Sequence, residues 1–238
     1  MDNLISTILL TGFLLLPSAS PEAKIAVPVV EKSAVLASKS EVLARESLDM
    51  TKRNPDKAVS DIFRDNILLN LHYMYGDVEK VKIESTNNSN EYVDINWDKV
   101  REPLNFSLVL EPGELLAFHD ELLPEFRNLK VKSGWTKFSV AEGYKVLDGL
   151  SGNGVCHLAT LINWVSSEAG LGVTAKVNHD FYPVPGIDRK YGTSIIYLPG
   201  EITTQMQNLY VINNTGKQVK FVFKADYYKV ELSILKNQ

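Results

Sequence analysis

The stretch SGNGVCHLATLINWVSSEAGL, residues 151–171, carries the clearest helical pattern in the sequence. Gly170 favours a left-handed cap at the end of that helix, with Leu171 folded back on it. The pattern therefore predicts a helix that ends at Gly170 and holds Cys156 in its first turn. Its apolar side chains recur at the spacing of one helix face: Val155, Leu158, Ala159, Ile162 and Val165.

Cys156 is the only cysteine in the sequence, so it cannot form an intramolecular disulfide. The first turn of a helix carries unpaired N–H groups and a partial positive charge, which favour a thiolate. The turn Gly152-Asn153-Gly154 gives a ligand room to approach, and its N–H groups are candidate donors to an oxyanion. We expect Thr160, on the same helix face, to line the substrate site. The pattern indicates a nucleophile, and a buried, inert cysteine is the competing interpretation.

A cysteine nucleophile needs a base, and the sequence offers two histidines near it. A helix followed by an antiparallel strand brings the chain back toward the helix start. His179, which ends the segment VTAKVNHD, is therefore the preferred base, and Asp180 or Asn178 is a candidate to orient its ring. His157 follows Cys156 in the helix and points about 100° away from it. We expect His157 to line the site.

His119, after the Pro-Gly turn, is the third candidate base, and His119, Asp120 and Asp180 are candidates for a supporting role in the same site. The single cysteine and three of the histidines could also supply nitrogen and sulfur ligands to zinc. Neither a C-x-x-C nor an H-x-x-x-H spacing supports such a site. The sequence therefore predicts no metal and no cofactor.

The segment RNPDKAVSDIFRDNILLNLHYMYGD, residues 53–77, predicts an earlier helix. Asn54 is a candidate N-cap, Pro55 fits the first turn, and Asp56 suits the positive end of the helix dipole. Gly76 is a candidate stop. We expect this helical segment to precede the main domain.

Alternating apolar and polar residues predict strands in much of the remaining chain. Residues 213–216, Asn-Asn-Thr-Gly, predict a hairpin turn between two of these strands. The fold class is therefore α+β, with an antiparallel sheet and one central motif helix that has the cysteine at its N-terminus. The predicted strands are YVDINW (92–97), LNFSLVL (104–110), VTAKV (173–177), TSIIYL (193–198), NLYVIN (208–213), KQVKFVFKA (217–225) and YYKVELSIL (227–235).

The N-terminus predicts the compartment. The apolar run Leu4–Leu16 is too short for a membrane span and is typical of a signal peptide, so residues 1–20 are expected to be a signal peptide or an N-terminal anchor. Residues 21–53 are predicted to be a linker, with a weak helix at Glu41–Met50, because they lack aromatic residues. Residues 54–103 form a helical and strand segment, and residues 104–238 form the main domain.

Export places the protein outside the cytoplasm, with membrane contact only through the N-terminal segment. The formal net charge is −4, and lysines and arginines are scattered through the sequence. A nucleic-acid-binding protein would usually show a basic face, so nucleic acid is excluded as a partner.

Four blocks of the sequence, in order, resemble the VanW-like family. The helix stretch at 151–171 resembles the family's glycine-rich turn, Val-Cys-Gln and helix ending at Ala-Gly-Leu. NFSLVLEPGELLAFHD (105–120) resembles its asparagine, strand, Pro-Gly-Glu and aromatic run. NHDFYPVPG (178–186) and NLYVINNTGKQVKF (208–221) resemble its His-x-x-Pro-Val segment and its late strand pair. The resemblance covers roughly Leu104 to Leu235.

The resemblance implies a role in the bacterial cell wall. Some members of the family are regarded as thiol L,D-transpeptidases, which crosslink peptidoglycan stem peptides through the motif cysteine. That role maps onto Cys156, with His179 as the motif histidine and peptidoglycan peptides as partners. A non-catalytic peptidoglycan-binding or scaffold domain is the alternative. A cysteine peptidase or amidase and a zinc-stabilised domain remain open as well.

This chain departs from the family pattern in three places, which puts activity in question more than fold. His157 stands where many members have Gln. Ala159-Thr160 replaces a Ser-Thr pair. YGTS, residues 191–194, stands in place of an Asp-Ala-Thr segment, unless Asp188 supplies the acid.

Overall fold

The computed structural model describes residues 40–78, 94–133 and 136–237. The predicted signal peptide or anchor at 1–20 and most of the predicted linker lie outside the described residues. Within the described ranges, no helix has the length and apolar character needed to cross a membrane. The fold is mixed α and β with mainly antiparallel pairing, which confirms the predicted α+β class.

The first long helix forms as its sequence predicts. The side chain of Asp56 caps its N-terminus by accepting hydrogen bonds from the N–H groups of Ala58 and Val59. Asn54, the predicted cap, instead accepts a hydrogen bond from the N–H of Asp56. Gly76 ends the helix in the left-handed conformation, at φ 84°. The α-helices within the described ranges are α1 (Lys57–Tyr75), α2 (Trp97–Val100), α3 (Val155–Glu168) and α4 (Ile202–Met206).

One four-stranded antiparallel sheet joins the start and the end of the described chain. Its strand order is β1-β10-β9-β2. Along β9, alternate residues from Val219 to Ala225 are buried, as expected for a strand with one face on the core. The bounds of its strands are Ser40–Asp49 (β1), Leu104–Leu110 (β2), Val219–Ala225 (β9) and Lys229–Asn237 (β10).

A second sheet and a short hairpin complete the strands. The second sheet has the order β4-β3-β8-β7 and is antiparallel except for the parallel pair β3/β4. The hairpin β5-β6 comes directly before α3. The bounds are Leu115–Ala117 (β3), Val131–Lys132 (β4), Val146–Leu147 (β5), Leu150–Ser151 (β6), Gly172–Ala175 (β7) and Leu209–Ile212 (β8).

Four local predictions are wrong. Glu41–Met50, predicted as a weak helix in a linker, lies almost wholly in β1, because pairing with β10 overrides its helix propensity. Trp97, predicted to end a strand, begins α2. Residues 193–198 form no strand. The turn at 213–216 joins β8 to β9, which belong to different sheets and do not pair as a hairpin.

Helix α3 packs against strands of both sheets and against α1. The five residues of the predicted apolar stripe are all buried. Gly170, at φ 73°, reverses the chain, and the N–H groups of Gly170 and Leu171 donate to the carbonyls of Ser167 and Ser166. These two bonds are the left-handed cap that the sequence predicts.

The N-terminus of α3 lies directly against the backbone of α1. Gly154 adopts φ 104°, and a Cβ at this position would lie 2.5 Å from the carbonyl oxygen of Phe63. Asn66, one turn further along α1, donates through its side-chain amide to the carbonyls of Asn153 and Lys145. Only glycine permits this approach of the two helices.

A buried carboxylate on α1 holds three surrounding segments together. Asp65 is 1% exposed and accepts hydrogen bonds from Arg64, Arg101 and Lys145. Burial alone would raise the pKa of Asp65, but the hydrogen bonds from Arg101 and Lys145 outweigh burial and lower it. The ionised carboxylate therefore connects α1, the end of α2 and the segment before β5.

We expect Gly154→Ala to lower the free energy of unfolding by at least about 2 kcal/mol, from backbone strain and from the clash with Phe63. Gly149→Ala is the matched control: Gly149 also has a positive φ, of 80°, but no atom lies within 4 Å of its Cβ position. We expect the control to cost about 1 kcal/mol. Urea unfolding of both variants measures the difference, and equal losses would contradict the proposed clash.

We expect Asp65→Asn to lower the free energy of unfolding by about 2–3 kcal/mol at neutral pH, because it removes the buried charge that pairs with Arg101, Lys145 and the buried Arg64. Since the folded-state pKa of Asp65 is lowered, its contribution is present above the unfolded-state pKa of about 3.9 and is lost as the pH falls through the folded-state value. Unfolding curves at a series of pH values measure the loss. Asp61→Asn, on a half-buried neighbour that pairs with Lys57 and Arg64, should cost at most about 1 kcal/mol. A deficit for Asp65→Asn that does not shrink in acid would contradict this account.

Candidate functional site

The thiol of Cys156 is hydrogen-bonded to one backbone residue. Cys156 is the second residue of α3 and is partly buried. Its sulfur accepts a hydrogen bond from the N–H of Ile195 at 3.4 Å and donates to the carbonyl of the same residue at 3.6 Å. Among the hydrogen bonds of the described residues, no histidine ring contacts the sulfur. The predicted pair of Cys156 with His179 is therefore not formed in this structure.

The polar face of α3 is covered by the segment that contains Ile195. The N–H of Thr193 donates to the hydroxyl of Thr160, and the amide of Asn163 donates to the carbonyl of Tyr191 and to the hydroxyl of Thr193. Thr160 is fully buried. It supports this covering segment, contrary to the expectation that it lines a substrate site.

The environment raises the pKa of Cys156 to about 11. Burial is the largest cause, and the hydrogen bond from the N–H of Ile195 offsets it only in part. The sequence-based expectation of a lowered pKa is therefore wrong for this structure. The partial charge of the helix terminus does not compensate for the loss of water around the sulfur.

The glycine turn before α3 is packed against the protein itself. Gly154 lies against α1, and a Cβ on Gly152 would lie 2.7 Å from the Cβ of Phe138. The amide of Asn153 donates to the carbonyl of Leu150, within the hairpin that precedes the turn. The space that we predicted for a substrate is thus occupied by Phe63 and Phe138. The predicted oxyanion role of these backbone groups gains no support from the geometry.

His179 and His157 lie side by side at the start of α3. Their ring centroids are 6.0 Å apart, and the edge of one ring faces the other. The predicted return of the chain toward the helix start therefore occurs, although β7 ends at Ala175 and His179 follows it in a loop. His157 is 1% exposed and packs against Phe63, with ring centroids 5.3 Å apart. The pKa of His157 is lowered to about 3, mainly by burial and to a smaller extent by Arg53 and His179.

The ring of His179 is oriented by a backbone carbonyl. Asn178 and Asp180, the two residues predicted for this role, do not orient it. His179 donates from Nδ1 to the carbonyl of Tyr182 at 2.7 Å. The amide of Asn178 donates instead to the carbonyl of Arg189, and Asp180 is exposed. Burial lowers the pKa of His179, and Asp180 contributes only a weak opposing effect.

His119 and Asp120 belong to a separate buried group. His119 donates from Nε2 to the carbonyl of Gln207, and its ring packs against Phe138 and Tyr197. Burial lowers the pKa of His119 to about 4. The pKa of Tyr197 is raised mainly by burial and also by the charge of Asp120. Phe138, which packs on Gly152, is the link between this group and the glycine turn.

Arg53 is a residue that sequence reasoning missed. It lies in a polar stretch, TKRNPDK, at the boundary between the predicted linker and the predicted helical segment. In the structure it is 2% exposed and donates from Nη2 to the carbonyl of Pro185 at 3.1 Å. No spacing pattern could have predicted this contact, because it joins residues 132 positions apart in the sequence.

The described residues contain no group of three or more histidine, cysteine, aspartate or glutamate side chains that could hold a metal ion. Of the candidate zinc ligands, His119 contacts Gln207, His157 and His179 contact each other, and Cys156 contacts Ile195. The geometry therefore gives the zinc interpretation no support.

Comparison with known proteins identifies one relationship. A family model described as VanW like protein matches residues 95–235, which is more than half of the chain. The match extends the predicted resemblance, from Leu104 to Leu235, back to include α2. No curated protein and no solved structure matches the chain significantly.

We expect Cys156 to alkylate slowly in the folded protein. A rise in pKa to about 11 reduces the thiolate fraction near neutral pH by about 100-fold relative to a free thiol. Iodoacetamide labelling of the full chain between pH 6 and pH 10, followed by mass spectrometry, measures the rate. The unfolded chain in urea is the control and should react as a free thiol. Labelling at pH 6 that is faster than that of a model thiol would restore the nucleophile predicted from sequence.

Proposed function

The chain belongs to the VanW-like family, and from that premise we propose that it is an exported cell-wall protein that binds peptidoglycan stem peptides without using Cys156 as a nucleophile. The family's association with the cell wall supports the class of partner. The apolar run at Leu4–Leu16 supports export.

The contact between Cys156 and Ile195 supports the part of the proposal that excludes Cys156 as a nucleophile. A nucleophilic thiol needs a base within hydrogen-bond reach and donors for the oxyanion. Here the thiol hydrogen of Cys156 is directed to a backbone carbonyl. The nearby imidazoles contact each other, and the glycine turn is packed against Phe63 and Phe138.

Cysteine-dependent acyl transfer is the second candidate, and one observation favours it. Cys156 keeps part of its surface exposed in the first turn of α3, where N–H groups favour a thiolate. In that reaction the sulfur attacks a stem-peptide carbonyl and the donor's amine leaves. An acceptor amine then takes the acyl group and releases the thiol. The segment of Ile195 would have to move away from the sulfur first.

One experiment separates the two candidates. The full chain and its Cys156→Ala variant are mixed with a fluorescent stem tetrapeptide, and binding is followed by anisotropy and covalent adducts by intact mass. We expect both proteins to bind with affinities within about twofold of each other, since the thiol is not part of the binding surface. We also expect no adduct.

Two results would count against the proposal. A thioester mass on the wild-type chain that is missing from Cys156→Ala would establish acyl transfer. An absence of binding by either protein would remove the stem peptide as partner. Muropeptides from cells that carry Cys156→Ala provide the cellular control and should match those of wild-type cells.

A further inference from the structure

The guanidinium of Arg53 is buried and only partly hydrogen-bonded. Arg53 follows β1 and precedes α1, and its backbone N–H donates to the hydroxyl of Ser60. Nη2 donates to the carbonyl of Pro185. Nε and Nη1 have no hydrogen-bond partner in the described part of the chain, although both are shielded from solvent. Two of the three guanidinium nitrogens are thus left with unsatisfied donors.

This buried cation also lacks a carboxylate in contact with it. Among residues 40–78, 94–133 and 136–237, no aspartate or glutamate forms an ion pair with Arg53. Asp49 exerts a weak attraction, but its carboxylate accepts hydrogen bonds from Thr51 and pairs with Lys52. Burial lowers the pKa of Arg53 to about 10, so the group stays charged at neutral pH. A buried charge without a partner is unfavourable, and its natural complement is an anion.

A second unsatisfied polar atom lies close to Arg53. The Nδ1 atom of His157 is buried and has no hydrogen-bond partner in the described part of the chain. One loop links the two groups, because Arg53 donates to the carbonyl of Pro185 and His179 donates to that of Tyr182, and the charge of Arg53 also lowers the pKa of His157. The ring of His179 contacts that of His157. Two separate elements and one loop thus bring nitrogen donors to the same interior position.

We propose that Arg53, His157 and His179 form a binding site for a carboxylate, and that its ligand is the C-terminal carboxylate of a stem peptide. The assignment of the peptide rests on the function proposed above. The assignment of the carboxylate rests on the unsatisfied donors alone.

The charge of the cluster favours a monovalent anion over a phosphate dianion. Arg53 supplies one permanent positive charge. Both imidazoles are neutral at pH 7, because burial lowers the pKa of His157 to about 3 and that of His179 as well. Asp180, the charged residue next to His179, is exposed, and Asp49 is already paired. One carboxylate therefore balances the cluster, and the neutral ring nitrogen of His157 can donate to its second oxygen.

The loop from Asn178 to Ile187 contacts the cluster through two backbone carbonyls, those of Tyr182 and Pro185. Pro185, within this loop, is the carbonyl partner of Arg53. Phe181 packs against His179 with ring centroids 4.2 Å apart and the rings tilted by 46°, yet 79% of its surface is exposed. Tyr182 is also exposed. We expect these exposed rings beside His179 to contact the side chains of a peptide end, with its carboxylate directed toward the buried donors.

The test uses the histidines of the full chain as reporters. The protein is labelled with ¹⁵N-histidine and titrated with sodium acetate at constant ionic strength, and the imidazole signals are recorded. We expect saturable shifts of His157 and His179 only. His72 and His119 are internal controls, because they lie in other parts of the fold. Shifts of all four histidines, no saturation, or an equal response to inorganic phosphate would overturn the assignment of a carboxylate site.

A second arm tests the source of the carboxylate. The stem tetrapeptide with a free C-terminus and the same peptide as C-terminal amide are compared by anisotropy. We expect the amide to bind at least about tenfold more weakly, because hydrogen bonds to a charged group are lost. Arg53→Gln should remove the difference, while Lys52→Gln, an equal charge change on an exposed neighbour, should preserve it. Equal binding of acid and amide to the wild type would overturn the peptide assignment.

The two arms keep this proposal separate from the proposed function. If acetate shifts His157 and His179 but neither peptide binds, the carboxylate site stands and the stem-peptide function fails. If both peptides bind equally and acetate shifts neither ring, the function stands and the carboxylate site is overturned. The titration of the wild-type chain does not depend on whether Arg53→Gln folds.

Discussion

The contact between Gly154 and the backbone of α1 is the constraint on which the arrangement around Cys156 depends. It brings the N-terminus of α3 closer to α1 than any side chain would allow. Asn66 of α1 then holds the glycine turn in place, because its side chain forms hydrogen bonds with the backbone of Asn153 and Lys145. A glycine-rich turn before a helix is commonly associated with an approaching ligand. In this protein the approaching group is the protein's own helix.

That contact has consequences for the chemistry of the thiol. With α3 fixed on α1, the polar face of α3 meets the segment 191–195, and the backbone of Ile195 satisfies the sulfur of Cys156. The electrostatic benefit of a helix terminus falls off within its first turn. It is also opposed here by loss of solvent, which favours the neutral thiol. This sequence motif would therefore activate its cysteine only if the site were open to solvent and a base contacted the sulfur.

The sequence predicts those elements whose apolar periodicity matches their burial. Strand β9, whose alternate residues are buried, and helix α3, whose predicted apolar stripe is buried throughout, are of this kind. Predictions fail where tertiary contacts decide. Residues 193–198 alternate like a strand, yet the N–H groups of Thr193 and Ile195 bond to side chains of α3. The turn at 213–216 has the same local sequence whether its strands pair or separate into two sheets. Pairing between β1 and β10 joins residues nearly two hundred positions apart, and no local pattern contains that information.

The fold contains two buried charges, Asp65 and Arg53, and only Asp65 has partners of opposite charge. This difference indicates where a ligand is expected to bind. Asp65 is surrounded by three cations, so its burial is compatible with stability and needs nothing from outside the protein. Arg53 is as deeply buried, but its described surroundings supply one carbonyl and no carboxylate. A protein that only needed packing at this position would be more stable with an apolar side chain, since an unpaired buried charge opposes folding. An arginine at this position, near two imidazoles, fits a binding site whose hydrogen bonds are satisfied only when an anion is bound. The candidate binding site is therefore this cluster, and not the thiol of Cys156.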